Sequence, residues 1–95
     1  MSLTIKQTNS FMKVVKKLPK QQKKELDNAI KKLIADPMLG VHKKGDLSFI
    51  RVYKFKMSKQ ETLLGYSYDD ECLLLTLMSL GSHENFYRDL KRVIN

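Results

Sequence analysis

Two histidines are the only imidazoles in the chain, and His83 has the more suggestive setting. It follows Gly81-Ser82, a break at which Ser82 can cap a helix running from about His83 to Val93. An imidazole titrates near neutral pH. The positive end of a helix favours its neutral, base-competent form and also draws in a phosphate. Tyr87 stands one turn further along the same face, where its ring can stack on a base and its hydroxyl can reach a phosphate; Lys91 continues the stripe. The same spacing also suits a solvated first-turn histidine and a tyrosine that only packs. Glu84 has the chemistry of a base, but acidic residues are favoured in any first helical turn. Arg51 alternates in phase with Phe49, Tyr53 and Phe55, which predicts a permanent charge on an aromatic strand face. A guanidinium there can meet a phosphorane or a stacked base, or equally pair with a nearby carboxylate. His42-Lys43-Lys44 is a basic run in a loop, for which simple solvation is the alternative to ligand contact.

The charge balance narrows the partners. Eighteen Lys/Arg against ten Asp/Glu leave +8 on 95 residues, a field that favours RNA, DNA, ribosomes or an acidic protein. One cysteine, Cys72, excludes an intramolecular disulfide and a multi-cysteine zinc site, and fits a reducing cytoplasm. Asp69-Asp70-Glu71 is the only acidic run and reads as a hairpin turn, so no metal is implied. No apolar run reaches membrane-spanning length and the first residues lack a signal-peptide core, so no membrane is expected.

The elements that must position these residues follow from periodicity. No linker or repeat divides residues 1–95, which read as one domain. Leu3 to Thr8 alternates as a half-buried strand does. Asn9 or Ser10 can cap a helix whose stripe is Phe11, Val14, Val15 and Leu18, ended by Pro19. A second helix from about Lys20 to Ala35 buries Leu26, Ile30, Leu33 and Ile34, turns its lysines outward, and stops at Asp36-Pro37. A loop spans Met38 to Asp46. Strands are predicted over Leu47–Met57, Thr62–Tyr68 and Cys72–Leu80, the last nearly all apolar as in a strand covered on both faces. The result is an α+β domain in β-α-α-β-β-β-α order, an antiparallel sheet packed against an N-terminal helical hairpin, with a C-terminal helix.

This order resembles the RelE/ParE toxin superfamily, and local motifs agree. KKLPKQQKKELDNAIKKLIADP is similar to the paired helices of those toxins. HKKGDLSFIRVYKF resembles the basic loop entering their first hairpin strand, and TLLGYSYDDECLLLTLMSLGSH their last two strands. GSHENFYRDL resembles the ending of the YafQ-like branch, with an aromatic four residues after the histidine. Similar nucleases carry an arginine where Thr62 and Leu63 stand, and YafQ-like chains one where Ser79 stands. The resemblance implies a RelE-like fold and a ribosome-dependent, metal-independent mRNA endoribonuclease without cofactor. His83, Tyr87 and Arg51 would be its catalytic groups, and His42, Lys43, Lys44, Arg88, Lys91 and Arg92 its RNA or ribosome contacts. It implies a cognate protein antitoxin, acidic and partly disordered when free, covering the basic helices and the His83–Tyr87 face; operator DNA would be bound only through that complex. The alternatives are a ParE-like, non-catalytic inhibitor of DNA gyrase and a basic RNA- or ribosome-binding module.

Overall fold

The computed structural model describes residues 3–43, 45, 49–82 and 86. The elements are β1 (Thr4–Gln7), α1 (Asn9–Lys16), α2 (Lys20–Ala35), β2 (Val41–His42), β3 (Arg51–Met57), β4 (Gln60–Asp69) and β5 (Leu74–Gly81). They form one sheet in the order β1-β5-β4-β3-β2. β3, β4 and β5 are antiparallel neighbours, as predicted. The sheet as a whole is mixed, because β1 adds to β5 in parallel from Thr4↔Leu74 to Gln7↔Leu77. A parallel pair needs a long crossover, and the helical hairpin between the two strands begins that return. All four β1 residues are exposed rather than half-buried, as befits an edge strand with one neighbour. The short β2 inside the expected loop pairs only Val41↔Val52 and His42↔Arg51. β3 begins at Arg51, so Phe49 lies in a turn and is exposed instead of extending the strand's aromatic face.

Thr8, not Asn9 or Ser10, caps α1. Its Oγ1 accepts from the Phe11 amide at 3.2 Å and donates to the Met78 carbonyl at 3.0 Å, tying the helix start to β5. Pro19 occupies the N-cap position of α2, where its missing N–H costs nothing. Both helices pack on one sheet face. Phe11, Leu26 and Leu33 meet Leu64, Tyr66, Leu75, Leu77 and Leu80 there, while Ile34, expected inside, is exposed. A β-bulge carries β5 through this core: Gly65 pairs with Ser79 and Tyr66 with Leu77, which leaves Met78 over. The extra residue shifts the alternation, so Leu80 joins Leu75 and Leu77 under the helices while Ser79 faces the other way.

The β3–β4 turn is two residues, Ser58 and Lys59, with φ of 53° and 66°, the left-handed pair that matches strand twist. Helix α2 holds its tip. The Ser58 amide donates to Glu25 Oε2 at 2.7 Å, and Gln22 Nε2 donates to Ser58 Oγ at 3.0 Å. At the β4–β5 turn, Asp69 Oδ1 accepts from the amides of Glu71 and Cys72 at 3.0 and 3.3 Å, which gives the acidic run a turn-forming role.

Candidate nucleic-acid interface

The sheet has two unlike faces. The second, turned away from α1 and α2, carries a smaller cluster of Ile50, Val52, Leu63 and Phe86 with Met78 against it. Phe86 donates its amide to the Ser82 carbonyl at 2.9 Å, one helical turn after the end of β5. Its ring lies over Gly65: a Cβ built there would stand 2.7 Å from the ring tip. Of the predicted terminal helix only Phe86 is described. His83, Tyr87, Arg88, Lys91 and Arg92, and Lys44 in the basic loop, lie outside the described residues.

Register places the cations of β3. Paired residues in neighbouring strands share a face. Arg51 pairs with Tyr66, so both lie on the helix-covered face. The Arg51 Nη1 donates to the Gly40 carbonyl at 2.9 Å and to the Met38 carbonyl at 3.4 Å. Its charge therefore supports the chain between α2 and β2, and no carboxylate is its hydrogen-bond partner among the described residues. Val52, Lys54 and Lys56 alternate onto the opposite face, where Lys54 and Lys56 are exposed. Lys56 stands across from Glu61, whereas Lys54 stands across from Leu63, which in turn pairs with Gly81. Strands lie about 4.8 Å apart, so the row Lys54–Leu63–Gly81 sets Lys54 roughly 10 Å from the strand end that leads to His83. Of the positions that the resemblance sets against arginine, Leu63, inside that row, and Ser79, beside Gly65, lie on this same face, whereas Thr62, paired with Phe55, lies on the helix-covered one.

Sequence reading singled out neither Lys54 nor Lys56. The signal was present, because a strand with Arg51, Tyr53 and Phe55 on one face must turn Lys54 and Lys56 to the other. His42 is exposed at the sheet edge opposite Arg51, and the Lys43 amide donates to the Ile50 carbonyl at 3.0 Å. Burial raises the Tyr66 phenol above its ordinary pKa of 10.0, against the Gly40 amide and the Arg51 charge, which lower it. Among the described residues no three His, Cys, Asp or Glu side chains gather to hold a metal, and no helix is long and apolar enough to cross a membrane.

Comparison with solved structures defines the class as the RelE-like toxin fold. A mutant of the E. coli toxin RelE in the free state superposes with a TM-score of 0.74 at 17% identity, covering 98% of this chain and 94% of that one. RelE in the intact E. coli RelBE toxin–antitoxin complex gives 0.68 at 18% identity, covering 85% and 96%. The archaeal RelE–RelB complex from Pyrococcus horikoshii gives 0.62 at 16%, covering 86% and 96%. The chain belongs to the ParE-like toxin family of type II bacterial toxin–antitoxin systems, whose family model matches residues 5–91. No curated protein sequence matches it.

Proposed function

We propose that this toxin is a ribosome-dependent, metal-independent mRNA endoribonuclease of the cytoplasm. The observation that carries the reading is the exposed Lys54 on the sheet face free of α1 and α2, in register with the strand end preceding His83. Such cleavage needs three things: a base for the ribose 2′-OH, an acid for the departing 5′-oxygen, and cations around the phosphate as it gains charge. The 2′-oxygen bonds to phosphorus as the bond to the 5′-oxygen breaks, leaving a cyclic phosphate and a 5′-hydroxyl end. His83 moves the proton, and Tyr87 stacks on a base or reaches the phosphate. Lys54 supplies charge, with Lys56 partly offset by Glu61. His42, Lys43 and Lys44 line the approach, and Arg88, Lys91 and Arg92 meet RNA phosphates of the ribosome. Arg51, committed to two backbone carbonyls, serves this site by support rather than by touching substrate. The partner that silences the toxin is an acidic protein antitoxin, as RelB accompanies RelE in the E. coli and P. horikoshii complexes; operator DNA is bound through that pair.

One observation favours a second reading, a ParE-like inhibitor of DNA gyrase. Thr62, Leu63 and Ser79, which stand where the resemblance sets arginine, are all uncharged and buried, Leu63 and Ser79 on the very face a nuclease would use. One experiment separates the two. The chain is expressed under tight control, transcript 5′ ends are mapped by primer extension, and His83→Ala and Lys54→Ala are compared. In-frame cuts on translated messages that vanish in His83→Ala support the nuclease. Intact transcripts alongside gyrase-dependent DNA breaks sink it.

A further inference from the structure

The segment between α2 and β2 has no regular structure of its own, yet two side chains fasten it to the sheet. The Tyr66 hydroxyl accepts from the Gly40 amide at 2.8 Å and donates to the Pro37 carbonyl at 2.7 Å. Arg51, its partner across the strands, takes the Gly40 carbonyl at 2.9 Å. Gly40 thus has its amide and its carbonyl both held by side chains of adjacent strands. The approach is so close that a Cβ at Gly40 would lie 2.7 Å from the phenol oxygen and 2.8 Å from a ring carbon, so only glycine fits. Tyr66 is fully buried and cannot touch a substrate. Two residues beyond Gly40 the chain reaches His42, and then Lys43.

We infer that Tyr66 and Arg51 are positioning residues, which fix the segment over 37–43 and thereby hold His42 and Lys43 at the sheet edge for RNA. The inference rests on the proposed function for its RNA arm and stands by itself for its structural arm. Any buried phenol hydroxyl needs a partner, but here the oxygen both donates and accepts within one four-residue stretch of backbone, Pro37 to Gly40. β2 contributes only two residue pairs and the bond from the Lys43 amide to Ile50, and the turn bonds at Asp36 are local to the segment, so the clamp is what ties Gly40 to the sheet.

Amide hydrogen exchange on the whole chain tests this, comparing wild type with Tyr66→Phe and, as a second variant at a half-exposed site, Arg51→Gln. The probe is the Lys43 amide, whose own partner is Ile50 and not either clamp residue. Its exchange is expected to quicken at least tenfold in both variants, with less than twofold change at Leu64 and Leu75 in the strands beneath. On ribosome-bound mRNA, KM is expected to rise at least fivefold with kcat within twofold, and Arg51→Lys, which keeps a donor for Gly40, to recover most of it. Unchanged Lys43 protection overturns the inference. So does a uniform rise across the sheet, and so does loosened Lys43 with KM unaltered. A wild type that cuts no RNA sinks the proposed function and leaves the exchange result to decide the clamp.

Discussion

Gly65→Ala places a methyl group where the Phe86 ring already stands. The added carbon would lie 2.7 Å from the ring tip, 3.2 Å from the neighbouring ring carbon and 3.7 Å from the Ser79 Cβ. Phe86 has no exposed surface and is hemmed by Ile50, Val52 and Leu63, so the ring cannot swing into solvent without abandoning that cluster. Overpacking of this kind costs about 1–3 kcal/mol. In a domain of this size each kcal/mol lowers Tm by roughly 4–8 °C, so the fall should be plain in a thermal melt. Phe86→Leu shortens the obstructing group at less than the ~3–5 kcal/mol of full truncation. In the double variant the two changes relieve each other, and the total should fall short of the sum by about 0.5–3 kcal/mol. Urea unfolding with equal m values measures all three proteins. Strict additivity would refute the reasoning, because it would mean that methyl and ring never meet. Phe86 lies three residues after His83, so under the proposed function mRNA cleavage should drop in Gly65→Ala and partly return in the double variant.

Four further outcomes follow from the geometry. Thr8→Val removes both the cap on α1 and the bond to the Met78 carbonyl, and should cost about 1–3 kcal/mol by urea titration. Lys59→Gly relieves a left-handed residue in the β3–β4 turn and should stabilise by roughly 1 kcal/mol; a loss instead would mean that the turn is not strained as its φ implies. Tyr66 is held above its ordinary pKa, so its stabilising effect is complete below about pH 10 and is lost as pH rises through the raised value; Tyr66→Phe should flatten that alkaline fall in Tm. Lys54→Ala should weaken growth arrest on induction about tenfold, an effect near 1.4 kcal/mol, while the urea midpoint hardly moves because the residue is exposed.

Local patterns reported most of the frame. The Pro19 break, the Asp36-Pro37 stop and the apolar run of β5 each act within a few residues, and the sequence displays them openly. What escaped depends on partners far along the chain. Thr8 becomes the cap because Met78, 70 residues away, takes its hydroxyl hydrogen. Ile34 belongs to the apolar stripe of α2 yet ends up exposed, while Ala29 is buried. The bulge at Met78 reverses the facing of Ser79, which strict alternation would have put under the helices. Arg51 alternates with aromatic residues in the sequence, but no local rule announces that this face is the one the helices cover or that the Gly40 carbonyl accepts from its guanidinium. Lys54 and Lys56 were readable once the opposite face was considered at all.

The parallel seam between β1 and β5 has a consequence for how the molecule comes into being. β1 leaves the ribosome well before β5, its partner, is made, and the sequence gap between them makes this closure slow relative to hairpin formation. Chain growth at about 5–20 residues per second therefore delivers both helices and the β3–β4 hairpin before β1 can find its neighbour. A truncated product ending before Leu74 has an orphan N-terminal strand and an unanchored α1. The first and last strands in chain order are thus joined last, and the seam that anchors α1 is the final piece of the sheet to close.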